Sequence, residues 1–138
     1  MKKVLIIEDN QLVANLYANR FNIQGFQVRI APDGQAGLDL VRNFHPDAVI
    51  LDLMLPKMTG VEVLRRIRAE PGLELLPIVV FSDAYDTSMM QQARQAGATK
   101  CLSKEHSTPK QVAEAVQRAL FPDEATAAAP TEPAKREF

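Results

Sequence analysis

The sequence has little of three features, and each shortage excludes a class of protein. A single cysteine in 138 residues cannot form an internal disulfide, so we expect a reducing, cytoplasmic setting rather than a disulfide-stabilised secreted domain. Basic charge is not in excess, because 16 Lys and Arg oppose 17 Asp and Glu, which argues against nucleic acid as a direct partner. The apolar run near the start, residues 4–7, is too short for a signal peptide or a membrane span.

The composition is that of one globular domain followed by a short tail. Hydrophobic residues make up 46% and charged residues 24%, a balance typical of a folded domain with its own core. Residues 122–138 differ, because they hold three of the nine prolines and five alanines, with Phe138 as their one large apolar side chain. Such a segment buries too little surface to repay its ordering entropy. We therefore predict a domain over residues 1–121 and a Pro/Ala-rich charged tail or linker over residues 122–138.

Short apolar runs alternate with helical patterns along the first 121 residues. Runs rich in β-branched residues predict strands at 4–7, 28–30, 48–51 and 78–81, and a weaker fifth run lies at 101–103. Apolar residues at helical spacing follow each run, and Thr108, Pro109 and Gln111 form a capping-box pattern before the last helix. Strands without polar alternation are buried on both faces. The sequence therefore predicts an α/β fold, a doubly wound parallel sheet with helices on both faces.

Acidic and polar residues follow the apolar runs, at the point where each predicted strand ends. Glu8 and Asp9 follow the first run, Asp52 the third, Ser82 the fourth and Lys104 the fifth. The carboxyl ends of parallel strands meet at one edge of the sheet, where ligands bind in this class of fold. Three carboxylates close together repel one another, and a Mg²⁺ ion with oxygen ligands would relieve that repulsion. A single acid at a strand end is a solvated loop residue or a helix cap about as often as it is part of a binding site. The prediction therefore depends on the whole set of residues.

This set of residues favours phosphoryl-transfer chemistry at an aspartate. A carboxylate beside Mg²⁺ can attack a phosphoryl group and form an aspartyl phosphate. An ammonium and a hydroxyl group, such as those of Lys104 and Ser82, would stabilise the charge on the transferred oxygens. The two histidines, His45 and His106, lie in predicted loops, and we expect them to face solvent without a catalytic role.

The segment AVILDLMLPKMTG, residues 48–60, resembles the third-strand signature of the receiver domains of bacterial two-component response regulators. Asp52 is similar to the phospho-accepting aspartate of that family, and Pro56 and Gly60 follow it at the family's offsets. The resemblance extends over residues 3–120. It also matches the family's acidic pair, hydroxyl residue and lysine, which are here Glu8 and Asp9, Ser82, and Lys104.

The resemblance implies a phosphorylation-dependent signalling switch. Asp52 would accept a phosphoryl group from a histidine kinase, a phosphotransfer protein or a small donor such as acetyl phosphate. Ser82 and Lys104 would stabilise the phosphoryl group, and the movement of Ser82 would change the surface that binds a downstream partner. The Mg²⁺ ligands implied by the family, with Glu8 acting through water, are Glu8, Asp9, Asp52 and the backbone carbonyl of Met54.

The resemblance also implies properties of the whole domain. The fold would be flavodoxin-like, with five strands in the order 2-1-3-4-5. The fourth helix, fifth strand and fifth helix would form the surface for partners and for a homodimer. Such a protein is not an enzyme that acts on separate substrates, but it catalyses its own phosphotransfer and autodephosphorylation.

Three positions depart from the family pattern. The family usually has an aromatic residue three positions before the lysine, where this sequence has Cys101. A thiol is too small to move in and out of an aromatic pocket, so we interpret Cys101 as a small buried hydrophobic residue. Glu105 replaces the usual proline after Lys104, which predicts a trans peptide bond and a rearranged loop. Asp83 replaces a small residue and would either face solvent or alter metal binding and phosphorylation.

Three other functions fit parts of the sequence. A degenerate receiver would act only as an interaction module, although all five key positions are occupied here. A magnesium-dependent phosphohydrolase also uses an aspartyl nucleophile, but it carries an Asp-x-Asp pattern after the first strand, where this sequence has Glu8-Asp9-Asn10. A flavin-binding electron carrier shares the fold class, but Glu8 and Asp9 would repel the flavin phosphate.

Overall fold

Five parallel strands form the central sheet of the protein. The structure, a computed structural model, describes residues 1–83 and 87–122. The strands are β1 Lys3–Ile7, β2 Gln27–Ala31, β3 Ala48–Leu51, β4 Ile78–Ser82 and β5 Lys100–Ser103. They lie in the order β2-β1-β3-β4-β5 with parallel neighbours throughout. The predicted fold and strand order are therefore confirmed, and the topological switch point lies between β1 and β3.

Five helices connect the strands and cover both faces of the sheet. They are α1 Gln11–Ile23, α2 Gly34–Phe44, α3 Gly60–Ala69, α4 Thr87–Gln95 and α5 Pro109–Leu120. Helices α1 and α5 pack on one face, and α2, α3 and α4 pack on the other. The predicted capping box of α5 is present, because Thr108 Oγ1 accepts the Gln111 N–H at 3.1 Å and Gln111 Oε1 accepts the Thr108 N–H at 2.9 Å.

The central strands are buried on both faces, whereas the edge strands are not. Every residue of β3 and β4 is buried, as are the last four residues of β1. In β2 the alternate residues Gln27 and Arg29 are exposed, and β5 is only half-buried beyond its exposed first residue. The prediction of full burial thus does not extend to β2 and β5, because each of these strands has a neighbouring strand on one side only.

The described part of the chain ends just beyond α5. That helix ends at Leu120, and of the predicted tail only Pro122 lies within the described residues. The domain boundary at residue 121 therefore stays a prediction. Among the described residues, the structure has no helix with the length and apolar character needed to cross a bilayer.

Candidate functional site

Four strand ends bring the predicted site residues together at one edge of the sheet. Glu8 follows β1, Asp52 follows β3, Ser82 ends β4 and Lys104 follows β5. Backbone hydrogen bonds continue the sheet by one residue beyond the strands. The Asp52 N–H donates to the Ile7 carbonyl at 3.0 Å, and the Lys104 N–H donates to the Ser82 carbonyl at 3.0 Å. The parallel register places Asp52 level with Glu8, while Ser82 and Lys104 lie one and two residues further along the sheet edge.

Three carboxylates form a compact group with the chemistry of a metal site. Glu8, Asp9 and Asp52 each have a carboxylate oxygen within 4.8 Å of the other two. Glu8 and Asp52 are buried, whereas Asp9 is exposed. Carboxylate oxygens are the ligands that Mg²⁺ and Ca²⁺ prefer. Three carboxylate charges and the ammonium charge of Lys104 sum to a formal −2, which a divalent cation would balance.

The Lys104 ammonium lies between two of these carboxylates. Its Nζ is 2.6 Å from Glu8 Oε1 and 3.2 Å from Asp52 Oδ2. Burial alone would lower the pKa of Lys104, but the hydrogen bond to Glu8 and the negative charge of Asp52 outweigh it and raise that pKa. Burial raises the pKa of the Glu8 carboxyl, against the hydrogen bonds from Lys104 and from the Asn10 N–H. Lys104 is thus the charged counterion of the buried carboxylates at neutral pH.

The Ser82 hydroxyl contacts Asp52 directly. It donates to Asp52 Oδ1 at 2.6 Å and accepts the Leu53 N–H at 3.3 Å. The Met54 N–H donates to the same Oδ1 at 3.1 Å, so Met54 adjoins Asp52 through its backbone while its side chain is exposed. One oxygen of Asp52 is therefore held by neutral donors, and the other, Oδ2, faces the Lys104 ammonium.

A close approach of the backbone at Gly60 fixes the strand end that carries Asp52. A Cβ atom at Gly60 would collide with the Asp52 carbonyl oxygen and would lie 2.6 Å from Leu53 Cα. The Gly60 N–H donates to the Leu53 carbonyl at 2.8 Å, which joins the start of α3 to this strand end. Only a residue without a side chain permits that contact. The resemblance marked Gly60 as part of the signature, and the structure supplies the physical reason.

Cys101 and Asp83 lie outside the carboxylate group. Cys101 is half-buried on β5 and packs against the apolar layer under α2, α3 and α4, where burial raises the pKa of its thiol. Asp83 is exposed, which agrees with the first of its two interpretations.

The loop after β5 forms a tight turn at Glu105, the position where the resemblance predicts a proline. The Lys104–Glu105 peptide bond is trans, and the described residues contain no cis bond. The Ser103 hydroxyl accepts the Glu105 N–H at 3.2 Å and contacts His106 Nδ1 at 3.3 Å, which closes the turn. His106 is exposed, as is His45 at the end of α2.

An aromatic pair beside Lys104 is the feature that sequence reasoning missed. The rings of Tyr17 and Phe81 meet edge to face, with centroids 5.2 Å apart and planes at 74°. Lys104 Nζ lies 5.9 Å from the centroid of Phe81. Burial raises the pKa of the Tyr17 phenol, and the nearby charges of Arg20 and Lys104 oppose that shift. Tyr17 lies on α1 and Phe81 on β4, and no local signal in the sequence indicated that the two rings meet.

Comparisons with known proteins agree with the geometry. The family model described as response regulator receiver domain matches residues 4–117. The chain is 33% identical to the response regulator MprA of Mycobacterium sp. (strain KMS) over 124 residues, which are 88% of this chain and 53% of MprA. It is 29% identical to the polar-differentiation response regulator DivK of Brucella ovis over 109 residues, which are 79% of this chain and 89% of DivK. The chain therefore spans about half the length of MprA but most of the length of DivK.

A solved structure supports the fold. It is a CheY-like response regulator receiver domain protein from Methanospirillum hungatei, which superposes with a TM-score of 0.83 at 21% identity. The superposition covers 91% of this chain and 98% of that protein.

Proposed function

The chain belongs to the response regulator receiver domain family, and on that premise we propose that it is a phosphorylation-dependent signalling switch whose phosphoacceptor is Asp52. The observation that carries the proposal is the contact of one buried carboxylate with an ammonium and a hydroxyl. Lys104 Nζ lies 3.2 Å from Asp52 Oδ2, and Ser82 Oγ lies 2.6 Å from Asp52 Oδ1. An ammonium and a hydroxyl beside the carboxylate can stabilise the negative charge on the oxygens of a transferred phosphoryl group.

In the proposed reaction, a carboxylate oxygen of Asp52 attacks the phosphorus atom of the donor. A bond forms between that oxygen and phosphorus, while the bond from phosphorus to the donor's nitrogen or oxygen breaks and its electron pair stays with the donor. Lys104 would stabilise the negative charge on the transferred oxygens. The Ser82 hydroxyl would donate to a phosphoryl oxygen instead of to Asp52, and that movement would change the surface around β4.

The acidic group fits Mg²⁺, which receiver domains bind through such a cluster. We propose Asp9, Asp52 and the Met54 carbonyl as ligands, with Glu8 acting through water. Bound there, Mg²⁺ would neutralise charge on the carboxylates and on the incoming phosphoryl group. The exposure of Asp9 leaves this group accessible from solvent.

A groove beside the site supports a protein phosphodonor, for which we propose a histidine kinase or a phosphotransfer protein. The groove has a volume of about 380 Å³ and extends from the start of α1 to Lys104. Two leucines on its wall, Leu12 and Leu16, are 82% and 52% exposed. Exposed apolar surface next to the phosphoacceptor suits a partner that must deliver its phosphoryl group there. A downstream target and a homodimer through α4, β5 and α5 stay predictions.

Intact-mass measurement after incubation with acetyl phosphate and Mg²⁺ tests the proposal. We expect the wild-type chain to gain one phosphoryl group and Asp52→Asn to gain none. Asp83→Asn is the matched control, because Asp83 is an exposed aspartate at the same edge of the sheet, and this variant should be phosphorylated normally. No gain in the wild type, or an equal gain in Asp52→Asn, would contradict the proposal.

The time course of the same assay separates the other functions. A single gain followed by slow loss is the autodephosphorylation expected of a receiver that acts on itself. Continuous release of phosphate from added monoesters would indicate a phosphohydrolase. A folded protein that never gains mass would indicate an interaction module.

A further inference from the structure

The Lys104 ammonium has an aromatic neighbour as well as two carboxylates. Its Nζ lies 5.9 Å from the centroid of Phe81, and its side chain is only 13% exposed. A cation within about 6 Å of an aromatic ring centroid is attracted by the ring quadrupole, more strongly where water is excluded. The position of this ammonium therefore depends on Phe81 as well as on Glu8 and Asp52.

Phe81 is itself held by a residue of another element. Tyr17 on α1 meets it edge to face at 5.2 Å between centroids. The two rings are 5% and 4% exposed and belong to the close-packed layer under α1 and α5, so neither can turn freely. Phe81 directly precedes Ser82 on β4, so the two side chains leave opposite faces of the strand, with the ring in the layer under α1 and α5.

We propose that Phe81, held by Tyr17, positions the Lys104 ammonium for phosphoryl transfer to Asp52, an inference that rests on the proposed function. Lys104 Nζ contacts Glu8 at 2.6 Å and Asp52 at 3.2 Å, and the attraction of the Phe81 ring adds to these two contacts in fixing where the ammonium lies. A phenyl ring has no group that could exchange a proton or bind a phosphoryl oxygen, so Phe81 is a positioning residue, and Tyr17 acts through it.

The rate of phosphorylation by acetyl phosphate at saturating Mg²⁺ tests the proposal. Phe81→Leu keeps an apolar side chain but removes the ring, and we expect a rate about three- to fivefold lower. Phe81→Tyr retains the ring and should react at nearly the wild-type rate. Phe21→Leu is the matched control, because Phe21 belongs to the same apolar layer but packs against Phe26, and its rate should equal that of the wild type.

A double-mutant cycle tests the part assigned to Tyr17. Tyr17→Leu alone should slow the reaction, and it should add no further loss in the Phe81→Leu background. Thermal unfolding of each variant shows whether it folds. If Phe81→Leu does not fold, Phe81→Met is a second variant that lacks the ring. If the wild type is phosphorylated, equal phosphorylation rates for the ring-free Phe81 variant and Phe21→Leu would overturn the positioning role.

A second readout needs no phosphoryl transfer. The NMR signals of the Lys104 side-chain methylene protons should shift in Phe81→Leu, because the ring current is removed, and should stay unchanged in Phe21→Leu. If the wild type takes up no phosphoryl group, the proposed function fails. The NMR comparison still tests whether the ring of Phe81 lies against the Lys104 side chain. Unchanged Lys104 signals in Phe81→Leu would then refute the positioning role of Phe81.

Discussion

Lys104 pairs more closely with Glu8 than with Asp52, at 2.6 Å from Glu8 Oε1 against 3.2 Å from Asp52 Oδ2. The same carboxylates belong to the group that fits a divalent cation. The ammonium and a metal ion would therefore share their counterions, and each weakens the attraction that holds the other. The binding of a metal ion should consequently loosen Lys104 from Glu8, which frees the ammonium to meet a phosphoryl group.

Removal of the ammonium should destabilise the metal-free protein and strengthen its binding of Mg²⁺. Lys104→Met leaves Glu8 and Asp52 without their counterion, and loss of one partner of a buried ion pair lowers the free energy of unfolding by up to about 3 kcal/mol. Mg²⁺ would replace the missing charge, so the increase in Tm on addition of Mg²⁺ should be larger than in the wild type. Thermal unfolding with and without Mg²⁺ measures both effects.

Lys100→Met is the control for this comparison, since Lys100 is an exposed lysine at the start of β5. Its Tm and its response to Mg²⁺ should match those of the wild type. A smaller Mg²⁺ effect in Lys104→Met than in Lys100→Met would show that Lys104 helps to bind the ion rather than competing with it.

Loss of the Ser82 hydroxyl should reduce stability even without phosphorylation. Ser82→Ala removes the donor to Asp52 Oδ1 and the acceptor of the Leu53 N–H in a fully buried position. Polar groups that lose a partner in the interior cost about 1–3 kcal/mol. Chemical denaturation measures the loss, and Ser103→Ala is the comparison, because its hydroxyl contacts only groups of the exposed turn after β5. Equal stability of the two variants would show that the buried hydrogen bonds contribute no more than the exposed ones.

A side chain at Gly60 should destabilise the fold and displace Asp52, the proposed phosphoacceptor. The Cβ atom of Gly60→Ala meets backbone atoms of Asp52 and Leu53, which cannot rotate away, and such overpacking costs about 1–3 kcal/mol. The displaced Asp52 should also accept phosphate more slowly from acetyl phosphate. Gly37→Ala is the control, because its Cβ meets only the side chain of Ile7 among its nearest neighbours. A normal phosphorylation rate in Gly60→Ala would contradict the expectation.

Replacement of the cysteine should not affect phosphorylation. Burial raises the pKa of the Cys101 thiol, so the group is uncharged at neutral pH and adds no charge near the site. Cys101→Ser should therefore gain one phosphoryl group from acetyl phosphate at the wild-type rate. A loss of that gain, with the variant still folded, would assign the thiol a role that its place in the apolar layer does not suggest.

The regular parts of the fold follow from local patterns. The run at 48–51 is β3 to the residue, and the other predicted strands lie within one residue of the observed bounds at each end. Gly25 follows the C-cap of α1 with φ of +96°, a left-handed conformation that favours glycine just after a helix. Burial at the edges was predicted less well. The alternation of Gln27 and Arg29 with apolar residues is a local sign that β2 has an exposed face, whereas the half-burial of β5 depends on its place at the edge of the sheet.

Details of the site that involve distant residues could not be read from the sequence. The carboxyl ends of parallel strands meet at one edge of the sheet, which predicted that Glu8, Asp52 and Lys104 lie together. That argument could not predict that the Lys104 ammonium lies closer to Glu8 than to Asp52. Nor could it show that Glu8 is buried while Asp9, the next residue, is exposed. The contact of Tyr17 with Phe81 joins residues far apart in the chain, and only the packing of α1 on the sheet brings them together.

The exposed side of the acidic group sets a limit on how long a signal could last. Asp9 is exposed, and the Met54 side chain beside Asp52 is 56% exposed, so no described residue closes this side of the group. Water excluded from a site cannot hydrolyse the intermediate formed there, whereas water admitted to it can. Water would therefore have direct access, past Asp9 and Met54, to a phosphoryl group on Asp52. Through the same opening that admits the donor, water would hydrolyse the phosphoryl group, so the response would end once the donor is withdrawn.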